Sequence, residues 1–155
     1  MALTFRHAAD SLTALRVLCA LILFVRPSLA VLLFGVVTDW LDGPLARRAG
    51  PTPRGARFDL EADSLLTFGA AVSATRAGAS RASLIAPVLR YAVAALATRP
   101  LDADGVRWDR LTGVAQMAVF AAALAPGPLR ALRVVAVPVS AARCAALLVQ
   151  ARRSR

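Results

Sequence analysis

The sequence predicts an all-α protein: a single domain over residues 1–155, folded as an integral membrane bundle of six transmembrane helices. Three observations predict it. Hydrophobic residues make up 58% of the chain and charged residues 18%, against about 25% charged in an ordinary soluble domain. Mean hydropathy is +0.62. The apolar residues are also gathered into six stretches, each bounded by Arg, Pro or Gly. A soluble bundle around an all-apolar core is the alternative, but six such stretches in 155 residues leave too little polar surface to cover it.

The first stretch runs from Leu12 to Val25. Its end, with Arg26, Pro27, Ser28 and Ala30, resembles a secretory cleavage region. Arg16 interrupts the run, however, and the stretches that follow are equally apolar, so a retained span is expected. The second stretch, Ser28 to Leu41, leads into a helix expected to continue through Arg47. From Arg48 to Arg57 the chain carries Gly50, Pro51, Pro53 and Gly55, which read as a turn. The third stretch is Phe58 to Thr75, the fourth Ala82 to Thr98, the fifth Leu111 to Ala125 and the sixth Leu129 to Val149. Several are shorter than the roughly 20 residues a lone span needs. Helices that outrun the hydrocarbon, and polar residues that face a protein-lined cavity, make up the difference. Asp102, Asp104 and Asp109 lack a full calcium-loop pattern and read as a solvated loop before the fifth stretch. Cys19 and Cys144 fit no metal or disulfide spacing and read as small buried side chains.

All 19 basic residues are arginines and the formal net charge is +10. The arginines fall in short clusters between apolar stretches rather than along one stripe, so nucleic acid is not an expected partner. With both termini inside the cell, eleven arginines lie on the inner side: 6, 47, 48, 54, 57, 99, 107, 110, 152, 153 and 155. Five lie outside: 26, 76, 81, 130 and 133. The positive-inside rule then favours a multi-pass protein of the cell membrane with cytoplasmic termini. Arg16, Arg90 and Arg143 remain within or at the edge of spans, where a charge is a functional hypothesis by default.

Five of the nine acidic residues fall between positions 39 and 63, and four of them are aspartates. Asp39 and Asp42 are three apart and Asp59 and Asp63 four apart, so each pair occupies one helix face. A short turn between antiparallel helices would bring all four together on the cytoplasmic side. Carboxylates clustered at a membrane boundary are costly unless they pair or bind a cation. An all-oxygen anionic site suits Mg²⁺ or Mn²⁺, and four carboxylates supply charge for two ions. Gly43 and Ala46 lack bulk and would let a ligand approach. Arg47 could pair with a phosphate through its guanidinium fork. Metals, arginine and aspartate together are equipment for displacement at phosphorus. The alternative is a set of helix-end aspartates that cap helices and pair with nearby arginines.

The run Asp39-x-x-Asp42-Gly43-x-x-Ala46-Arg47, seven residues, Gly55-x-x-x-Asp59-x-x-x-Asp63 resembles the signature of the CDP-alcohol phosphatidyltransferase family at every defined position. Ser11 to Arg16 resembles the family's first-helix opening, with Asp10 or Ser11 where Asn is frequent. Asp109-Arg110-Leu111-Thr112 resembles the start of its fifth helix, with Arg110 where many members have lysine. The resemblance implies a six-helix membrane enzyme, usually a homodimer, with its site open to the cytoplasm. Asp39, Asp42, Asp59 and Asp63 would hold two divalent ions that bind the diphosphate of a CDP-linked lipid donor. Gly43, Ala46, Arg47, Thr52 and Gly55 would line the CDP site. Asp63 would be the general base that takes the acceptor's proton. Arg90 and Arg110 would suit an acceptor carrying its own phosphate, glycerol 3-phosphate first and inositol phosphate as the alternative. A non-catalytic membrane scaffold that keeps the fold is the rival reading.

Overall fold

The computed structural model describes residues 2–50, 52–96 and 103–153. Among them every regular element is helical: α1 Ala2–Val25, α2 Leu29–Ala49, α3 Pro53–Arg76, α4 Ile85–Leu96, α5 Ala103–Leu124 and α6 Ala136–Arg153. Two 3-10 segments, Arg81–Leu84 and Gly127–Val135, lead into α4 and α6.

Local chemistry sets the ends of these helices. Ser28 caps α2, its hydroxyl accepting from the Val31 amide. Thr52 caps α3, accepting from the Gly55 amide at 3.1 Å, and Pro53 fills the first helical position, where an amide proton has no partner in any case. Gly50 ends α2 at φ 85, a conformation other residues avoid. The cap and proline start α3 five residues before Phe58, so the expected 48–57 turn is much shorter: α2 runs to Ala49 and α3 resumes at Pro53. At the fifth stretch, helix begins at Ala103, which places Asp104 and Asp109 on α5 rather than in a loop. Asp102 lies outside the described residues. The start of the expected sixth stretch is 3-10, with the α-helix beginning only at Ala136.

The packing is inverted relative to a soluble domain. The buried core is dominated by small residues (Ala20, Ala62, Ala70, Ala71, Ala74, Ala86 and Ala123), with Leu23, Leu32, Leu66, Phe120 and Leu147 the large members. Buried beside them are Arg16, Thr38, Ser73, Ser83 and Gln116. Large apolar side chains point outward, among them Leu18, Ile22, Phe34, Val37, Trp40, Val88 and Val114. Small residues inside and greasy ones outside suit helices surrounded by lipid, where close backbone approach replaces hydrophobic burial. His7–Val25 and Gly127–Val149 are long and apolar enough to cross a membrane; Leu29–Leu41 and Arg110–Leu124 are shorter apolar helices.

Helix α1 is the hub. It packs more extensively on α2 and α3 than any other pair of elements packs, whereas among the described residues α2 and α3 make few contacts with each other. Ser73 donates to the Leu23 carbonyl at 2.6 Å, Arg76 caps the Phe24 and Val25 carbonyls at the end of α1, and the Phe24 and Phe68 rings meet at 5.6 Å. At Gly69 a Cβ would come within 2.9 Å of the Ala20 carbonyl oxygen, so glycine permits the approach. Ala20 beside Gly69 and Leu23 beside Ser73 define a parallel register, which sets Arg16 roughly level with Leu65 and Leu66.

Candidate active site

The site forms where α2 and α3 pass α1. Arginine side chains lean toward the N-terminus of their helix, so Arg16 reaches from its own level toward the N-terminal part of α3. Its guanidinium is fully buried. Nη2 lies 3.0 Å from Oδ1 of Asp39 on α2, and Nη1 lies 2.6 Å from Oδ1 of Asp59 on α3. One α1 side chain thus draws together carboxylates from two helices that scarcely contact one another. The carboxylates themselves are part-exposed, at 43% for Asp39 and 54% for Asp59, and so stay open to ions from solvent.

One turn beyond Asp59, Asp63 meets a second arginine. Arg90 Nη1 on α4 lies 2.7 Å from Asp63 Oδ2, and both side chains are largely buried. On the far side of α3, Arg57 donates to Glu61 at 3.0 Å, which raises the Arg57 pKa above its ordinary value. This exposed pair takes no part in the aspartate cluster. Glu61, Ser64, Leu65, Phe68, Pro87, Val88 and Tyr91 line an apolar cavity of about 340 Å³ between α3 and α4. By helical geometry it opens on the opposite face of α3 from Asp59 and Asp63.

The remaining expected site residues fall differently. Helix α2 runs through Asp42, Gly43, Ala46 and Arg47, but their side chains lie outside the described residues. Thr52 is the N-cap of α3. Gly55 sits directly over it: a Cβ there would lie 3.0 Å from the Thr52 hydroxyl, so this signature glycine has a local structural reason. Arg110 is exposed on α5, and among the described residues no ion pair joins it to the aspartates.

A second buried polar group lies between α5 and α6. Arg143 packs against α5 at Gly113, where a Cβ would meet its Nη1 at 2.6 Å, and Nη1 is 3.4 Å from the Thr112 hydroxyl. Gln116, one turn beyond Thr112, is 1% exposed, and neither amide atom has a partner among the described residues. The part played by Arg16 was not assigned from the sequence. Its signal was there, in a charge set within an otherwise apolar run.

Divalent cations fit this donor set chemically. It consists of carboxylate oxygens alone, and the buried Arg16 shows that the junction of α2 and α3 already requires positive charge. Among the described residues no group of three or more ligating side chains gathers at one point; the Asp42 side chain is not among them.

Comparison with known proteins adds one match. No curated protein and no solved structure matches the chain. The model of one family, described as CDP-alcohol phosphatidyltransferase, matches residues 6–147, nearly the whole chain and all of the elements that build the site. The chain therefore belongs to the CDP-alcohol phosphatidyltransferase family, membrane-embedded enzymes that transfer a phospho-alcohol group from a CDP-alcohol.

Proposed function

We propose that this enzyme moves a phosphatidyl group from CDP-diacylglycerol to glycerol 3-phosphate in phospholipid biosynthesis, releasing CMP. The observation that carries the reading is the ion pair between Arg90 and Asp63. A cation beside the proposed base is where the phosphate of the acceptor would bind, with its hydroxyl brought toward Asp63. The Asp63 carboxylate takes the hydroxyl proton as the acceptor oxygen attacks the β-phosphorus. The bond to CMP breaks, and CMP leaves with the electron pair. Asp39, Asp42, Asp59 and Asp63 would hold two Mg²⁺ or Mn²⁺ ions, which would supply charge neutralisation at the donor's diphosphate. Gly43, Ala46 and Arg47 would face the nucleotide.

Six spans, a homodimeric assembly and a site facing the cytoplasm belong to the same reading. The apolar exterior and the arginine distribution support the spans and their orientation; family resemblance supports the dimer. Inositol phosphate is the second acceptor, since Arg90 suits any phosphorylated alcohol.

The test is release of CMP from CDP-diacylglycerol with Mg²⁺ or Mn²⁺, across glycerol 3-phosphate, inositol phosphate, inositol and serine. Release that requires a phosphorylated acceptor and disappears in Asp63→Asn supports the proposal. Preference for an unphosphorylated acceptor would sink the role of Arg90. No release with any acceptor favours the scaffold.

A further inference from the structure

Carboxylates that are to receive a divalent cation must be held in place while the cation is absent. Among the described residues the two helices that carry them make few direct contacts, Gly35 of α2 against Leu66 of α3 being one. Arg16 spans the gap, contacting Asp39 at 3.0 Å and Asp59 at 2.6 Å from a fully buried position on α1. A buried guanidinium is costly unless anions surround it, and close carboxylates repel one another unless a cation lies between them. Each group therefore offsets the cost of the other.

We propose that Arg16 is the resident counter-cation of the metal site. It assembles Asp39 and Asp59 in the metal-free protein and, by sharing their oxygens, lowers the affinity of the site for divalent ions. This inference rests on reading the four aspartates as a divalent-cation site. Two effects of removing Arg16 oppose each other. Loss of a fixed positive charge in contact with two ligands strengthens attraction for a divalent ion. Loss of the bridge lets the two helices drift apart, which weakens it. The first effect wins, because α1 still binds both helices without Arg16. Gly35 on α2 lies against Cys19 on α1, Gly69 on α3 lies on the Ala20 carbonyl, and Ser73 on α3 donates to the Leu23 carbonyl. The functional consequence is a weak, exchangeable metal site. Its loading becomes favourable when the donor's diphosphate adds its own negative oxygens, so cation and donor each strengthen the binding of the other.

The test uses the full chain in detergent, with Mn²⁺ binding followed by electron paramagnetic resonance and thermal unfolding followed in EDTA and in Mn²⁺. Arg16→Met is expected to bind Mn²⁺ roughly tenfold more tightly in the absence of donor. It should also melt earlier in EDTA and gain more from added Mn²⁺ than the wild type. Arg16→Lys keeps the charge but cannot fork between two carboxylates, and should fall between the two. A lower melting temperature with unchanged Mn²⁺ affinity makes Arg16 a structural staple only and overturns the proposal. Weaker Mn²⁺ binding overturns it as well. If Arg16→Met does not fold, Arg16→Lys decides by the same sign. No Mn²⁺ binding to the wild type would overturn the cation site and this inference together. Failure of CMP release with Mn²⁺ binding intact would touch only the transferase reading.

Discussion

Arg90 on α4 closes on Asp63 on α3, Nη1 to Oδ2 at 2.7 Å, in the part of the bundle where the acceptor is proposed to bind. The proposed base, held by a cation that also suits the acceptor's phosphate, would tie acceptor recognition to the chemical step. Arg90→Gln should therefore raise KM for the phosphorylated acceptor by about tenfold or more, the scale of one lost charge-assisted contact. KM for the CDP donor should change little. Arg90→Lys should recover part of the loss. Steady-state kinetics with each substrate varied in turn gives the answer; equal losses for both substrates would argue against an acceptor role.

Asp63 carries a different expectation. Asp63→Asn keeps the shape but removes the proton acceptor, so kcat should fall by roughly 100-fold or more. It also leaves Arg90 without its carboxylate, and the melting temperature should drop modestly. Asp59→Asn should instead be partly rescued by raised Mn²⁺, because its proposed task is ligation. CMP release measured across a metal titration separates the two aspartates.

Thr52 stood as a nucleotide contact, and the structure gives it the N-cap of α3. The two roles predict different substitutions. Thr52→Ala should cost about 1 kcal/mol of stability through the lost cap, whereas Thr52→Ser keeps the capping oxygen and should melt like the wild type. If capping is its whole role, donor KM stays unchanged in both. A rise in donor KM with Thr52→Ser would restore the nucleotide contact.

Legibility of the fold followed the physics of each signal. Apolar runs between Arg, Pro and Gly marked six helices, because composition alone limits what a lipid-facing segment can carry. Their ends were missed where a polar residue extends the helix beyond the apolar run. Thr52 and Pro53 start α3 early, and the polar residues from Ala103 onward are helical on α5. The aspartate spacing placed each pair on one helix face, and Arg16 stood out as a charge in an apolar run, but its place between α2 and α3 was not legible. Proximity through a third helix depends on register, which the close approaches at Gly69 and Ser73 set. No local pattern encodes it.

Two glycines in the helix packing differ in a way that substitution can expose. At Gly69 an added Cβ would meet backbone, the Ala20 carbonyl oxygen at 2.9 Å. At Gly35 it would meet the end of a side chain, Leu66 Cδ1 at 2.7 Å, which can turn away. Gly69→Ala should therefore force α1 and α3 apart and cost on the order of 1–3 kcal/mol, while Gly35→Ala should cost less. Because α1 carries Arg16, Gly69→Ala should also disturb the site. Melting temperatures of the two variants in one detergent test the order, and a larger loss at Gly35 would contradict it.

Gln116 offers the opposite case, a buried polar side chain whose removal should do no harm to the fold. Neither of its amide atoms has a partner among the described residues, and it sits beside Phe120 and the Arg143 contact on α5. A buried amide without partners carries its full desolvation cost, so an apolar residue of similar volume relieves it. Gln116→Met should raise the melting temperature or leave it unchanged. If the position serves packing alone, CMP release stays at the wild-type level. If the amide instead meets the acceptor, stability rises while acceptor KM increases. The combination of a more stable and less active variant would mark Gln116 as a residue kept at the expense of the fold for the sake of the substrate.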